Sequence, residues 1–473
     1  MLNNYIALLP ELVLFLGLVC MWMVKLMRQN NTPKTFYTLS RFFLFFGAVF
    51  TAIFYNQNVA GYLYNNLFTT LFKMLIYIFT FIWGYLSLKR FTSKNMPSFN
   101  FYNAVLFNTL CFSVAISTHN LLMLFLGLSL GFWTGINLIK MEKEPYELNG
   151  NGVYSVFSFL FILAFACGVG IFYHYTKSFD YGAIERALAV KSLLIWQYYL
   201  AFSLIMCGIL YMMSVAPFHF WFANAVGNSI LPVAGYITII PIFAYFSCMV
   251  NVIVNAFYPI LGWFNIVFMC FGIFSIFIGA IGANSESNLR RIFAYSGLYY
   301  IGVTILALFP INDSNLVSAF IYLLVYIVAF CGIYTIFYGY RSRGDYLTEL
   351  EDIKGVATQR PFLSVALLIF MISLIGTPPL LGFLGKLSVI NSMIVGKEFV
   401  LVGAILIAML ILVYAYLKII TVVYFEARNK SFDEVDKGVY ICMLINIILI
   451  LIAIINPKYL MHDVEMMLIA VFK

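Results

Sequence analysis

From Arg360 to Lys386 the chain reads RPFLSVALLIFMISLIGTPPLLGFLGK, with charges only at its two ends. A run this long and apolar, with no polar stripe, is a helix that crosses a membrane rather than one packed on a soluble core. Its middle, Gly376, Thr377, Pro378, Pro379, contradicts an unbroken helix. Each proline removes a backbone donor and clashes with the preceding turn, so the helix must open at membrane depth. Such an opening is tolerated only where protein or enclosed water satisfies the freed backbone groups. Lys386 follows directly. An ammonium at the bilayer centre costs at least about 2.5–3.5 kcal/mol, so a lysine here faces a polar interior and marks an ion or proton route.

The rest of the chain has the same character. Of 473 residues 63% are apolar and 10% charged, against about 25% charged in ordinary globular domains. About 14 runs of bilayer length follow one another, from Tyr5–Met27 to Val439–Ile455, and no polar block is long enough to fold separately. The reading is one all-α polytopic membrane domain over residues 1–473. The first apolar run is too long for a signal peptide and is expected to remain as a span. The net charge of +8 is spread over short loops, which excludes nucleic acid as a partner. Of the 27 basic residues, 17 fall in one alternate set of loops and 6 in the other, so the first set faces the cytoplasm or matrix. The eight cysteines are scattered singly and form no metal or dithiol motif.

Four lysines remain inside apolar runs: Lys25, Lys73, Lys386 and Lys418. Lys25 lies within a turn of its span's end and is expected to snorkel to the interface. Lys73 lies about two turns into its span and Lys418 deep in its own, so both join Lys386 as candidates. Among carboxylates only Glu11 lies within an apolar run. A buried lysine that cycles its proton wants a carboxylate nearby, and on this reading the membrane interior offers almost none.

A second long run is also interrupted, at Ser214, Val215, Ala216, Pro217, Phe218, His219, Phe220 and Trp221. Pro217 and Pro378 are 161 residues apart, with an odd number of spans from one break to the next. The expected architecture is therefore two inverted five-helix repeats, each containing a broken helix, with the ion site beside the breaks. Residues 1–100 form an N-terminal three-helix segment, 101–258 the first repeat, 259–426 the second repeat, and 427–473 the last helix and tail. A lone buried histidine is usually structural; at one of two matched breaks, His219 joins the candidates.

These residues resemble the antiporter-like membrane subunits of respiratory complex I, in particular the bacterial subunit N or mitochondrial subunit 2. The likeness covers the opening Leu8 to Leu14, Phe72–Lys73, VAPFHFW at Val215–Trp221, NLRRIFAYS at Asn288–Ser296, EDIKG at Glu351–Gly355, and the Arg360–Lys386 stretch with Tyr414–Lys418 after it. It implies a membrane-arm subunit of NADH:quinone oxidoreductase, a proton translocase coupled to quinone reduction, with partners among the other membrane-arm subunits, including a neighbouring antiporter-like one. It implies no cofactor in this chain; NADH, FMN, iron-sulfur clusters and quinone belong to the parent complex. The implied location is the bacterial inner membrane or the mitochondrial inner membrane. The family's proton relay runs through a glutamate and two lysines that here fall on Ser129, Met212 and Ile242, while its last lysine is Lys386 and its tenth-span histidine falls on Tyr300. The implied site residues are thus Lys386, Lys418, His219 and Lys73, with a degenerate relay in the first repeat. An Mrp-type cation/proton antiporter subunit and a non-pumping scaffold subunit remain as competing readings.

Overall fold

The computed structural model describes all residues except 1–6, 28–31, 56, 60–62, 94–97, 142–150, 190–194, 429, 456 and 473. Of the loop bases counted above, Arg28, Lys94, Lys143, Lys191 and Lys473 lie outside the described residues, as does Tyr5. The described residues are helical almost throughout, interrupted by two short strand pairs, Asn58–Val59 with Leu63–Tyr64 and Arg341–Ser342 with Asp345–Tyr346. Among the described residues ten helices are long and apolar enough to cross a membrane, and Leu231–Ser285 counts as one continuous stretch of 55 residues. The protein is an all-α polytopic membrane protein.

Two compact units divide the chain. The first comprises Met1–Met213, Ile240–Phe264 and Met467–Lys473. Its helices are α1 (Leu9–Met27), α2 (Pro33–Ile53), α3 (Leu67–Ser93), α4 (Phe99–Ser117), α5 (Leu121–Ile139), α6 (Asn151–Thr176), α7 (Tyr181–Ala189) and α8 (Ile195–Met212). Within it α1 packs on α2, α2 on α3, α4 on α5, and α6 on α8. Asn120 starts α5 by accepting from the backbone N–H groups of Leu122 and Met123, which satisfies donors a helix start leaves open.

The second unit comprises Ser214–Ile239 and Asn265–Met466. It holds α9 (Phe222–Asn228), most of α11 (Leu261–Ser285), and α12 (Leu289–Leu308), α13 (Asp313–Gly339), α14 (Val356–Gln359), α15 (Pro361–Ile375), α16 (Leu381–Val395), α17 (Phe399–Phe425) and α18 (Lys437–Ile455). Three helices cross the division: α10 (Leu231–Val252), continued by a π turn at Ile253–Phe257, the start of α11, and α19 (Pro457–Ile469). Helix α13 is the axis of the second unit; α12, α15, α16 and α18 all pack on it. In α12 and α13 89% of the most apolar window is buried, against 33% in α17. Composition explains the order. The buried pair carries tyrosines whose hydroxyls need protein partners (Tyr299, Tyr300, Tyr322, Tyr326, Tyr334), whereas α17 exposes Leu, Ile and Val that lipid can cover.

Both proline-bearing runs open. The first stops at Met212 and resumes at Phe222; the second stops at Ile375 and resumes at Leu381. At the open end of each, one residue turns left-handed, Ser214 (φ 62°) and Gly376 (φ 84°). Facing the opposite end of α15, the EDIKG loop is clamped to the end of α17. Lys354 pairs with Glu426 at 3.1 Å and Lys430 with Asp352 at 2.5 Å, while Arg360 donates to the carbonyls of Phe432 and Asp433. The Glu426 carboxylate, which accepts a hydrogen bond from Lys354, raises that ammonium's pKa. These contacts fix where α15 begins, and hence the depth at which it breaks.

Candidate functional site

The last four carbonyls of any α-helix lack intrahelical partners, so a helix severed inside a membrane must find four. Those of α15 belong to Ile372, Ser373, Leu374 and Ile375, and each has one. Ile372 O accepts the N–H groups of Gly376 and Thr377, and Ser373 O accepts that of Gly376. The Tyr300 hydroxyl, from α12, donates to Leu374 O at 2.8 Å. The Lys386 ammonium reaches back from α16 to Ile375 O at 2.6 Å. Lys386 is 9% exposed and has no carboxylate partner among the described residues. Its positive charge sits at the negative end of the α15 dipole, equivalent to roughly half an elementary charge. The Tyr416 hydroxyl lies 3.5 Å from that of Tyr300.

Two glycines allow this closure. Gly376 adopts φ +84°, and a Cβ there would come within 2.6 Å of Lys386 Cδ. Gly382 passes so close to α15 that a Cβ would meet Ser373 O at 1.6 Å, and its N–H donates to Ser373 Oγ at 3.2 Å. The second half-helix therefore starts in contact with the end of the first, and Lys386, one turn later, falls opposite the exposed carbonyls.

The first break is closed differently. Ser275 Oγ, on α11, accepts the Ala216 N–H at 2.8 Å. Arg290 donates to the carbonyls of Gly227 and Ser229, and Arg291 to Asn228 Oδ1 at 3.0 Å, so the RR of NLRRIFAYS caps the short helix α9. His219 is half-buried in the break, and its buried Nδ1 has no partner among the described residues. Among the described residues no hydrogen bond joins His219, Lys386 and Lys418 to one another. Lys418 is half-buried on α17, with no bond from its ammonium among the described residues.

Lys73 lies in the other unit and has the partner that the sequence reading did not give it. Its ammonium donates to Glu11 Oε1 at 2.7 Å and to Asn65 Oδ1 at 2.8 Å. Ser113 Oγ donates to the same carboxylate oxygen at 2.6 Å, and Tyr77 donates to Ser113 at 3.0 Å. Glu11 is 5% and Lys73 1% exposed. The expectation that the apolar segments offer buried lysines almost no carboxylate is thus corrected: the one carboxylate they hold is bonded to one of the four lysines. The signal was available, because two opposite charges inside apolar runs each need neutralising and here there is one of the rarer sign. Lys25 is exposed, its ammonium 4.1 Å from the centre of the Phe99 ring.

The three positions where the resemblance implies a relay, Ser129, Met212 and Ile242, are all buried and uncharged. Ser129 Oγ has no partner among the described residues. Nearby polarity in that unit is hydroxylic, with Tyr211 OH and Ser158 Oγ 3.0 Å apart.

Comparison with known proteins agrees with this geometry. Residues 118–412 match the family model described as NADH:quinone oxidoreductase/Mrp antiporter, TM. NADH-quinone oxidoreductase subunit N of Granulibacter bethesdensis is 27% identical over 368 residues, 77% of each chain. A chain of respiratory complex I from Thermus thermophilus shares the fold with a TM-score of 0.79 at 20% identity, covering 96% of this chain and 98% of that one. So does a chain of the Mrp complex from Dietzia sp., with a TM-score of 0.85 at 15% identity, covering 100% and 98%. A buried lysine closing a severed transmembrane helix, in a chain matched to the family model over most of its length, places this protein in the NADH:quinone oxidoreductase/Mrp antiporter membrane-subunit family.

Proposed function

We propose that this chain is a membrane-arm subunit of a proton-translocating NADH:quinone oxidoreductase in an energy-conserving inner membrane, and that its proton step is centred on Lys386. The observation that carries the reading is the bond from the Lys386 ammonium to Ile375 O, at the bare end of a helix cut within the membrane. A charge held by a carbonyl and a helix dipole can leave as a proton without stranding a buried anion, and can return when water delivers one. Subunit N relatives such as the one from Granulibacter bethesdensis, matched over three quarters of their length, support the assignment to such a complex.

The architecture that goes with this function is about 14 crossings in two inverted five-helix repeats. It is supported by ten full-length apolar helices, the 55-residue stretch taken as two crossings, and the shorter apolar helices Trp196–Met212, Leu381–Val395 and Lys437–Leu451. Uncharged Ser129, Met212 and Ile242 leave the first repeat without titratable steps at those positions, so the second repeat does the proton work. Flavin, iron-sulfur clusters and the quinone site are assigned to partner subunits.

Isolation of the chain from its native membrane in mild detergent tests the reading. Co-isolation with flavin- and iron-sulfur-bearing subunits and NADH-dependent quinone reduction is expected. Sodium-dependent proton flux through the chain, without such partners, would instead make it an antiporter subunit.

A further inference from the structure

Between the first turns of α13 and the last turns of α16 lies a cavity of about 580 Å³. Helix α13 lines it from Ser314 to Ile321, α16 lines it from Leu387 to Val395, and Glu465 of α19 completes the lining. At 1.5 Å per residue the cleft runs about 10 Å along these helices. The hydrocarbon of one leaflet is roughly 15 Å deep, so the cleft spans most of it.

The hydrogen bonds of the lining show what an occupant must supply. All four serines spend their hydroxyl protons inside the protein. Ser314 donates to Asn312 Oδ1 at 2.9 Å, Ser318 to Ser314 O at 2.8 Å, Ser388 to Gly385 O at 2.8 Å and Ser392 to Val389 O at 2.9 Å. An occupant therefore need offer them no acceptor. The walls between them are Val317, Ile321, Leu387 and Val395, which suit an acyl chain. Asn391 is the exception: it is exposed, and its amide has no partner among the described residues. It lies one turn from the end of α16, at the depth of a lipid's glycerol and ester groups rather than of its chains.

The rim selects a headgroup. Glu465 is exposed and held by no ion pair among the described residues. Asp313 starts α13, and Lys397 and Glu398 follow the end of α16. Three carboxylates thus meet one ammonium at this end of the cleft.

We infer that the cleft binds one phospholipid with a primary-amine headgroup, phosphatidylethanolamine. Its acyl chain lies between Val317 and Ile321 on one wall and Leu387 and Val395 on the other. Its ester oxygens accept from the Asn391 amide, its ammonium donates to the Glu465 carboxylate, and Lys397 stands at the rim for its phosphate. A choline headgroup carries the same charge but has no N–H to donate. An acidic lipid would set its net negative charge against three carboxylates. The site is independent of the proton step proposed for Lys386.

Photocrosslinking in the assembled complex tests it. The complex is placed in phosphatidylcholine vesicles holding a small fraction of phosphatidylethanolamine with a diazirine in one acyl chain, irradiated, and its peptides are mapped by mass spectrometry. Adducts should gather on Ser314–Ile321 and Leu387–Val395, several-fold above the lipid-facing side of α17 around Leu410, which is 67% exposed. Unlabelled phosphatidylethanolamine should compete, and phosphatidylcholine and phosphatidylglycerol at the same concentration should not. Glu465→Gln should lower the cleft adducts about three- to fivefold, as expected for an exposed ion pair, and remove the headgroup preference. Val317→Phe, which fills the cleft and leaves the rim intact, should remove the adducts altogether. Cleft adducts no more frequent than those around Leu410, or equal competition by phosphatidylcholine, overturn the site. Adducts that appear in the cleft only after partner subunits are stripped away also overturn it and assign the cleft to a partner helix.

Discussion

Among the described residues two lysines are buried, and they are held in opposite ways. Lys73 is locked to a full negative charge: Glu11 at 2.7 Å, with Asn65 and Ser113 completing the shell. Lys386 is met by a carbonyl at 2.6 Å and the partial charges of a helix end. Removing a proton from Lys73 would strand a buried carboxylate, which is strongly unfavourable. Removing one from Lys386 strands no buried anion. The same residue type is therefore a staple in the N-terminal bundle and, in the proposed function, an exchangeable group at the second break. Burial does not separate the two roles; the neighbour's charge does.

The comparison can be broken by single substitutions, and the largest effect belongs to the staple. Lys73→Met should lower the stability of the first unit by about 3–5 kcal/mol by leaving Glu11 unpaired, and Glu11→Gln in the same chain should restore much of it. Thermal denaturation of the solubilised complex, scored by retention of this chain, reads both. Next is the closure of the second break: Gly382→Ala forces a methyl group onto Ser373 O and should cost about 1–3 kcal/mol, with loss of the Lys386 position. Gly376→Ala adds a left-handed backbone penalty of about 1–2 kcal/mol at the same place.

A smaller effect depends on pH. His119 lies in the connection between α4 and α5, stacked between Tyr64 at 4.1 Å and Tyr181 at 5.5 Å. Burial pushes its pKa down from 6.5 to about 4, against the pull of Asp180. The unfolded chain therefore binds the proton first. Stability held above pH 6.5 is lost as pH falls toward 4, and His119→Gln should flatten that window. The smallest effect sharpens the account of the helix end. Tyr300→Phe removes the donor to Leu374 O and should cost about 0.5–1.5 kcal/mol without changing the Lys386 contact, as measured by the same denaturation assay.

Much of this arrangement was legible in the sequence. The prolines at Pro217 and Pro378–Pro379 announced both openings, because no other residue removes a donor and blocks the preceding turn. Lys386 could be singled out because a charge in an apolar run needs a reason. The pairing of Lys73 with Glu11 was not read, although both had been noticed, since helix-to-helix register decides contact and periodicity does not report it. The role of Tyr300 was also hidden: a tyrosine in an apolar helix signals only that its hydroxyl needs a partner, and which carbonyl it meets depends on where α15 ends.

The central claim is that Lys386 carries protons, and the proton-to-electron ratio tests it most directly. The complex is reconstituted into sealed vesicles with native chain or with Lys386→Met, and protons moved are counted per NADH oxidised. The account predicts that quinone reduction continues while the ratio falls. An unchanged ratio would contradict it and leave Lys386 as a cap on a severed helix.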